Sequence, residues 1–222
     1  MRNFYLTFIL LYSIVVSAQI QPDVLDDFSD GNFSENPVWS GTTDLFAVTD
    51  GQLVVNEYTD GHAYLSTPSR IAINATWEMD LTTKNTTSGS NLIKFYLISD
   101  NPNLTGELNG YFVMFGNKDD EIVLYKQQGK DTSRIISGRK GISENAIVRV
   151  KVTNDDKGNF SLFSKLSSES EFTEEGSFFD EDFLSKNYYV GVYVKYTKTW
   201  KGNYLFDNLS VFGEKAVDPT PP

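Results

Sequence analysis

Two carboxylates on one side of a predicted strand are the first candidates for chemistry in this sequence. The stretch WEMDL, residues 77–81, places Glu78 and Asp80 two positions apart. On a β-strand, residues i and i+2 point to the same face. Retaining glycosidases use two carboxyl groups about 5–5.5 Å apart, one as the nucleophile and the other as acid and base. The spacing therefore raises the hypothesis of a glycoside hydrolase.

The residues that follow this pair do not complete a catalytic motif. In laminarinase-type glycosidases, which are β-sandwiches, a strand with the pattern Glu-apolar-Asp-apolar is followed one or two positions later by a second glutamate. Thr82 and Thr83 occupy those positions here. A simpler interpretation is the polar side of a strand whose other side carries Trp77, Met79 and Leu81. We therefore predict that the protein is not an enzyme, and a laminarinase-type hydrolase is the weakest alternative.

An acidic stretch near the amino terminus allows two interpretations. DDFSDGNF, residues 26–33, contains three aspartates and two phenylalanines. Ca²⁺ takes six to eight oxygen ligands, and Asp27 and Asp30 could supply two of them, with a third from Asp207 if the first and last strands are neighbours. The alternative is a turn at Asp30-Gly31 with both phenylalanines buried, because Asp favours turns and Gly allows a positive φ. The sequence leaves a structural Ca²⁺ and a plain turn as alternatives.

Most other kinds of site lack the residues they need. His62 is the only histidine and the chain has no cysteine, which excludes sites built on several histidines and excludes thiol chemistry. The sequence contains no Gly-x-Ser-x-Gly nucleophile motif and no phosphate-binding glycine loop. The formal net charge of −11 argues against nucleic acid and anionic membrane surfaces as partners, since both require a basic surface.

Aromatic residues in loops are the remaining functional signal. Aromatic residues make up 14% of the chain, and an exposed flat ring can stack on the face of a sugar. The rings that the pattern places in or next to loops are Trp39, Tyr58, Tyr64, Tyr196 and Trp200. Trp200 is the strongest candidate, because Lys198, Lys201 and Gly202 surround it with polar and flexible neighbours. For each ring the alternative is anchoring of the core or of a loop.

Period-two stretches separated by turn residues dominate the chain, and no long segment has the apolar spacing of a helix. Strands are expected over residues 52–57, 63–66, 75–81, 92–99, 111–115, 121–127, 146–153, 160–166, 188–196 and 204–212. Residues 92–99 are apolar on both faces and should form a central strand. One helical turn is expected over residues 179–184. Many short strands joined only by turns predict an all-β, antiparallel β-sandwich.

The two ends of the chain differ from the rest in composition. An apolar run over residues 4–16 precedes small residues and predicts a secretory signal peptide at residues 1–18. Residues 19–214 would form the sandwich domain. Residues 215–222 are rich in proline and would form an extended linker. We expect a secreted protein that is not inserted in a membrane after cleavage and whose linker leads to downstream modules of the same polypeptide.

Three stretches together resemble a known module: DDFSDGNFSENPVWSG (residues 26–41), SGSNLIKFYLISDNPNLTGELNGYFVMFG (88–116) and YVGVYVKYTKTWKGNYLFDNLSV (189–211). They look like the amino-terminal module of large secreted surface proteins of Gram-negative bacteria, which resembles the concanavalin A-like lectin/glucanase jelly roll and laminin-G-like domains. The resemblance covers residues 26 to about 213. It implies a jelly-roll β-sandwich at the cell surface that binds a polysaccharide or another glycan, or acts in adhesion.

The resemblance also bears on the metal and on the rival function. In many jelly rolls of this type a structural Ca²⁺ joins the first strand to the last, and Asp27 and Asp207 occupy comparable positions. The glucanase carboxylates are not reproduced, so the resemblance does not imply catalysis. The rival hypothesis from another class is a structural spacer that binds no ligand and holds downstream modules away from the cell.

Overall fold

The period-two pattern of the sequence corresponds to two stacked antiparallel sheets. A computed structural model describes residues 21–56, 59–186, 188–200 and 202–215, apart from the side chain of Trp200, and these residues form fifteen strands. One sheet has eight strands: β1 (Val24–Asp26), β3 (Phe46–Thr49), β4 (Gln52–Val55), β6 (Ile71–Thr83), β11 (Ile147–Asn154), β12 (Asn159–Leu166), β13 (Thr173–Phe179) and β15 (Tyr204–Lys215). The other has seven strands: β2 (Ser40–Gly41), β5 (Gly61–Pro68), β7 (Leu92–Ser99), β8 (Leu108–Gly116), β9 (Glu121–Gly129), β10 (Asp131–Ser137) and β14 (Tyr189–Tyr196).

The order of strands in space differs from their order in the chain. The eight-stranded sheet runs β13-β12-β11-β6-β15-β4-β3, with β1 paired to β15. The seven-stranded sheet runs β10-β9-β8-β7-β14-β5-β2. The first and last strands of the chain are therefore neighbours, as the calcium hypothesis required. Single 3₁₀ turns occur at Thr43–Leu45 and Lys198–Trp200.

The main core lies between the two sheets and is built by alternation along each strand. In β11, Val148, Val150 and Val152 are fully buried, while Ile147 and Arg149 lie on the outer side. Strand β6 repeats the pattern, since the side chains that flank Glu78 and Asp80 are buried in the core. Because a strand turns successive side chains to opposite faces, this pattern commits one face of each strand to the core. The predicted antiparallel β-sandwich is confirmed.

Strand β7 has apolar side chains on both faces and lies fourth of seven in its sheet, between β8 and β14, as predicted. Ile93, Phe95 and Leu97 belong to the main core. Tyr96 is 1% exposed but belongs to a second, smaller apolar cluster on the opposite face of the sheet. The outer face of the seven-stranded sheet is therefore partly covered by other groups of the protein instead of solvent.

Five strands lie outside the predicted ranges, namely the short strands β1, β2 and β3 and the edge strands β10 and β13, and one expected helical turn is absent. Strands β10 and β13 each end a sheet and carry mostly exposed polar side chains. Edge strands of this kind lack the alternation that identifies a half-buried strand. The helical turn expected over residues 179–184 is wrong, because Phe179 ends β13 and Phe183 then donates its N–H to the Asp180 carbonyl at 3.2 Å in a simple turn.

The acidic stretch DDFSDGNF forms the turn that was one of its two interpretations. Gly31 has a φ of +80° and donates its N–H to the Phe28 carbonyl at 3.1 Å. Phe28 is 1% exposed, and Phe33 packs against the main core. The turn therefore accounts for the Asp-Gly pair and for both phenylalanines of the stretch.

Trp39 was a candidate ligand-binding ring with anchoring as its alternative, and the structure shows the anchor. Its side chain is 3% exposed, and its indole Nε1–H donates to the carboxylate of Asp26 at 2.7 Å. The same carboxylate accepts the backbone N–H of Phe28 at 2.8 Å. Burial raises the pKa of Asp26, and these two hydrogen bonds oppose that rise. The ring is thus an anchor of the first turn and is not accessible to a ligand.

The predicted signal peptide, residues 1–18, and residues 216–222 of the predicted linker lie outside the described residues. Strand β15 ends at Lys215. Within the described part of the chain, no helix has the length and apolar composition needed to cross a membrane.

The two buried tryptophans provide a matched test of this packing. Trp39 makes a buried hydrogen bond, whereas the indole N–H of Trp77 has no protein acceptor among the described residues. Both substitutions by phenylalanine remove similar volume, but only Trp39→Phe leaves a buried carboxylate short of a donor. We expect Trp39→Phe to lower the free energy of unfolding by about 1–3 kcal/mol more than Trp77→Phe, measured by urea denaturation. Equal losses for the two variants would contradict this account of Asp26.

Candidate functional site

The outer face of the seven-stranded sheet carries a row of large side chains that the strand register places side by side. Tyr64 on β5 pairs with Tyr193 on β14, which pairs with Lys94 on β7, which pairs with Met114 on β8. These positions alternate with core residues along their strands, so their side chains point away from the main core. The row crosses four adjacent strands in the middle of the sheet.

A second row lies next to the first and is almost entirely aromatic. Tyr96 pairs with Phe112, which pairs with Tyr125 on β9. The ring centroids of Tyr96 and Phe112 are 5.1 Å apart, and the rings of Phe112 and Tyr125 stack at the same distance. These separations are typical of favourable aromatic contacts. The two rows together form the floor of the site.

The loop between β7 and β8, residues 100–107, covers one side of this floor. The Ser66 hydroxyl donates to the Pro102 carbonyl at 2.8 Å, which ties the loop to β5. Leu104 is 2% exposed and belongs to the outer apolar cluster. A Cβ at Gly191 would lie 2.7 Å from Leu104 Cδ1. Glycine at this position therefore lets the loop approach β14 closely.

Short-range hydrogen bonds hold the same loop in one shape. The side chain of Asp100 accepts both the backbone N–H and the side-chain amide of Asn109 at 2.7 Å. Within the loop, the Asn101 side-chain oxygen accepts the N–H of Asn103 at 2.9 Å, and the Asn103 oxygen accepts the N–H of Thr105 at 3.0 Å. Asn and Asp side chains stabilise turns in this way. The loop that forms the wall of the site is therefore held in shape by its own hydrogen bonds, without a ligand.

A cavity of about 470 Å³ lies between this loop and the strands. Its lining includes Lys94, Tyr96, Leu104, Gln127, Thr132 and Tyr193. Such a volume, with aromatic walls and a few polar groups, is typical of small-ligand sites. A pair of exposed side chains at the rim, Glu107 and Lys130, form a salt bridge of 2.9 Å.

The polar groups on the floor form one chain. The Tyr96 hydroxyl donates to the Gln127 side-chain oxygen at 2.9 Å, and the Gln127 amide donates to the Gly129 carbonyl at 2.9 Å. Lys94 Nζ donates to the Tyr96 hydroxyl at 3.4 Å, which is a long contact for a charged donor. Gln127 is therefore held in one orientation, whereas Lys94 is only weakly hydrogen-bonded.

Lys94 is surrounded by aromatic rings instead of carboxylates. Its Nζ lies 4.2 Å from the ring centre of Phe112, 5.2 Å from that of Tyr193 and 5.7 Å from that of Tyr96. Among the described residues, no carboxylate lies within ion-pair distance of this nitrogen. Burial lowers the pKa of Lys94 to about 8. Cation–π contacts stabilise the charge only in part.

Tyr193 separates this cavity from a second one. The adjoining cavity, of about 400 Å³, is lined by residues that include His62, Lys195 and Thr197, and Tyr193 lines both cavities. The rings of His62 and Tyr193 stack at 6.1 Å with an angle of 17° between their planes. The two cavities therefore lie on either side of one ring.

Comparison with known proteins identifies the fold. No protein-family model matches the chain, and no curated protein is significantly similar to it in sequence. The carbohydrate-binding module CBM66 from Bacillus subtilis superposes with a TM-score of 0.57 at 19% identity, over 79% of this chain and 95% of that one. The exoplasmic/lumenal domain of VIP36, in its Ca²⁺- and Man2-bound form, superposes with a TM-score of 0.62 at 12% identity, over 89% of each chain. The metal-free carbohydrate recognition domain of Emp46p superposes with a TM-score of 0.64 at 10% identity, over 88% of this chain and 99% of that one.

This chain has a lectin-type jelly-roll fold. The concanavalin A-like architecture expected from the resemblance is thus confirmed. At identities of 10–19% the likeness concerns the fold alone. The function of this jelly roll therefore has to be argued from its own residues.

Two of the predicted ligand-binding rings lie at or next to the two cavities. Tyr64 lies on the outer face, half-buried beside Tyr193. Tyr196 is 3% exposed and packs into the main core, which fits the alternative of a core anchor, and it also lines the second cavity. Trp39 is also buried, as described above. The side chain of Trp200 and the whole of Tyr58 lie outside the described residues.

No local sequence pattern identifies the residues that form the cavity. A lysine in the middle of LIKFYLIS was the available signal, because a charged side chain seldom occurs in a strand that is buried on both faces. Tyr193 could have been read from the alternation in YVGVYVKY, but the alternation does not say which face is the core. Gln127 becomes significant only through its contact with Tyr96.

The predicted metal ligands come near one another without forming a ligand cluster. Asp27 and Asp30 line a shared cavity of about 300 Å³ on the outer side of the eight-stranded sheet of the jelly roll. Burial raises the pKa of Asp207, and the negative charges of Asp80 and Asp27 raise it further. Within the described ranges, however, no group of three or more His, Cys, Asp or Glu residues is placed to hold a metal ion.

Glu78 and Asp80, the pair first considered for catalysis, are bridged by one cation. Arg149 Nη2 lies 2.8 Å from the Glu78 carboxylate, and its Nη1 lies 3.2 Å from that of Asp80. Both acids point outward from the eight-stranded sheet, as the spacing predicted. One guanidinium thus engages both carboxylates, whereas a retaining glycosidase uses one carboxyl group as the nucleophile and the other as acid and base. The geometry is that of a surface ion-pair network.

The weakly compensated charge of Lys94 predicts an unusual dependence of stability on pH. The titratable groups that face it are Tyr96 and Tyr193, whose pKa values are raised by burial, and Glu107 and Lys130 at the rim. Because the pKa of Lys94 falls from 10.5 to about 8 on folding, the penalty for burying its charge is present below about pH 8. That penalty is relieved as the pH rises from the folded towards the unfolded value.

We therefore expect Lys94→Met to be more stable than the parent chain at about pH 7, by on the order of 1 kcal/mol. The advantage should shrink as the pH is raised towards about 10, because the parent then carries a neutral lysine in its folded state. Urea unfolding of both proteins at several pH values measures the difference. A difference that does not change with pH would contradict the assignment of a desolvated charge to Lys94.

Proposed function

We propose that this jelly roll is a secreted, non-catalytic module that binds a glycan in the cavity beside Lys94 and Tyr193. The observation that carries the proposal is the preformed cavity with an aromatic floor and fixed polar groups on the outer face of the seven-stranded sheet. The proposal also follows the solved structures with the same fold, which include a carbohydrate-binding module and carbohydrate recognition domains. The predicted signal peptide supports export. The resemblance of the sequence to modules of bacterial surface proteins, together with the predicted proline-rich linker, supports membership of a larger surface protein of a Gram-negative bacterium.

The chemistry of the cavity suits a sugar. A pyranose or furanose ring has apolar C–H faces and hydroxyl groups at its edge, so it needs a flat apolar partner with polar groups nearby. Tyr193 offers its ring as the wall between the two cavities. The hydroxyl of Thr132 and the side-chain oxygen of Gln127 line the same cavity and can hydrogen-bond to sugar hydroxyls, whereas the Gln127 amide N–H groups already donate to the Gly129 and Gly106 carbonyls. Apolar and polar groups thus converge on one volume.

The two cavities on either side of Tyr193 favour an oligosaccharide or polysaccharide over a single sugar. One unit would occupy the cavity beside Lys94, and the chain would continue past Tyr193 and Tyr64 towards His62. Tyr64 keeps its predicted role at this point, as a neighbour of Tyr193 in the row. A ligand that spans both cavities would make contacts on β7, β14 and β5.

Binding should depend on the ring of Tyr193. Stacking of an aromatic ring contributes about 1 kcal/mol or more to a contact of this kind, so Tyr193→Ala should weaken retention of the bound polysaccharide roughly tenfold. Phe179→Ala is the matched control, because it removes a ring that is 57% exposed on an edge strand of the other sheet. Affinity electrophoresis in gels containing a panel of polysaccharides measures retention.

The results separate the proposal from its rivals. Equal mobility shifts for the two variants would place the ligand elsewhere on the molecule. If the parent chain is retained by no polysaccharide in the panel, the structural spacer becomes the better description. Release of reducing sugar during incubation would instead revive the glycoside hydrolase.

A structural Ca²⁺ near Asp27, Asp30 and Asp207 stays a prediction. The support for it is the mutual repulsion of Asp207, Asp80 and Asp27, which a divalent cation would relieve. If the ion binds, millimolar Ca²⁺ should raise the Tm relative to EDTA, since a ligand that binds only the folded state stabilises it. Asp207→Asn should remove that increase. Identical melting curves with Ca²⁺ and with EDTA would dismiss the metal.

A further inference from the structure

The charge of Lys94 is not matched by the protein. Its Nζ has one long hydrogen bond, to the Tyr96 hydroxyl, and is otherwise surrounded by the rings of Phe112 and Tyr193. An ammonium group has three hydrogen-bond donors. Within the described residues, no protein acceptor is assigned to the other two, and the group borders an open cavity.

The cavity as a whole is positive in a protein that is strongly negative. Its charged side chains are Lys94, Lys130 and Glu107, and Lys130 already forms a salt bridge with Glu107. The charge of Lys94 therefore remains in excess there, whereas the chain carries a formal net charge of −11. Elsewhere three arginines are held in ion pairs: Arg134 with Glu121, Arg139 with Glu169 and Arg149 with Glu78. An unpaired cation in a partly desolvated cavity is unfavourable unless an anionic group from outside the chain pairs with it.

A methionine, leucine or threonine at position 94 would be compatible with the strand and would avoid the free-energy cost of desolvating a charge. The inner face of β7 does not need the lysine, because residue 94 points outward. The neighbouring floor is apolar, so an uncharged side chain would pack there without desolvating a charge. Residues that reduce stability at a binding surface are commonly retained for function. Lys94 is therefore assigned a role in ligand binding.

We propose that the glycan bound in this cavity is acidic, and that a carboxylate or sulfate on one sugar unit pairs with Lys94 Nζ while the sugar ring packs against Tyr193. The inference rests on the proposed function, since it names the class of glycan that the same cavity takes. A charge-assisted hydrogen bond in a desolvated site is about twice as strong as a neutral one. The anion would supply the acceptors that the floor lacks, and Gln127 would bind the hydroxyls of the same unit.

The overall negative charge of the protein reduces non-specific binding of acidic polysaccharides in a test of this proposal. Acidic polysaccharides are repelled by most of its surface, so non-specific attraction does not imitate the proposed contact. The full chain is tested by affinity electrophoresis against a neutral glucan, a neutral mannan, a polyuronate and a sulfated galactan. We expect the acidic polymers to be retained at least about tenfold more strongly than the neutral ones. The polyuronate and the sulfated galactan distinguish a carboxylate from a sulfate as the recognised group.

Three variants test the role of the charge. Lys94→Met should lose about tenfold or more of the affinity for the acidic polymer, and Lys94→Arg, which keeps the charge, should lose less. Lys165→Met is the matched control, because it removes the same charge from the outer side of the other sheet, where Lys165 lies 5.2 Å from the ring of Phe172. It should bind as the parent does. Far-UV circular dichroism checks that each variant is folded.

A competition measurement on the parent chain tests the inference without any substitution. Galacturonate and galactose differ only at C6, where one carries a carboxylate and the other a hydroxymethyl group. Galacturonate should displace a bound polyuronate at a concentration at least about tenfold lower than galactose does. Equal displacement by the two sugars, or neutral polymers bound as strongly as acidic ones, overturns the acidic ligand and leaves the proposed glycan site standing. Retention of none of the polymers overturns both.

Discussion

The alternation of side chains across each strand is the constraint on which the rest of this jelly roll depends. Every strand in the middle of the sandwich must give one face to the core between the sheets, because the main core is the principal source of stability in a chain without disulfides. Only the opposite face is free to vary. In β7 the two demands are met by neighbouring residues, with Ile93 and Phe95 directed inward and Lys94 and Tyr96 directed outward.

The proposed binding face is rigid around the cavity. The floor of the cavity consists of side chains on five paired strands, whose backbone hydrogen bonds fix their spacing. The wall is a loop, but Asn and Asp side chains hold it in shape and Leu104 is buried against the sheet. A preorganised site loses less conformational entropy on binding than a flexible one. The fold and the proposed function therefore make compatible demands on the same residues.

The opposite sheet shows how similar residue types can serve stability instead. Glu78, Asp80 and Arg149 neutralise one another on its outer side, and Lys151 lies over the rings of Phe163 and Phe172 at 4.5 and 4.2 Å. At the edge of the sandwich, the buried Tyr111 hydroxyl donates to Asp180 at 2.6 Å, and Lys126 pairs with the same carboxylate at 2.7 Å. That contact connects the segment after β13 to the seven-stranded sheet. Lys94 differs from the ion-paired cations because no carboxylate of the described residues lies within ion-pair distance of it, and it differs from Lys151 because it lines the cavity of about 470 Å³.

The sequence by itself determined the class of fold, the central position of β7 and the shared face of Glu78 and Asp80, and it offered the turn at Asp30-Gly31 as one of two interpretations. Each of these follows from local rules, namely the period of two along a strand and the turn preferences of Asp and Gly. It did not determine which rings are exposed, and Trp39 and Tyr196 proved to be buried. Exposure depends on what packs against a ring from distant parts of the chain, such as Asp26 against Trp39. For the same reason, only the tertiary structure could bring Lys94, Gln127 and Tyr193 together, because the contacts between their three strands depend on pairing and register that no local pattern encodes.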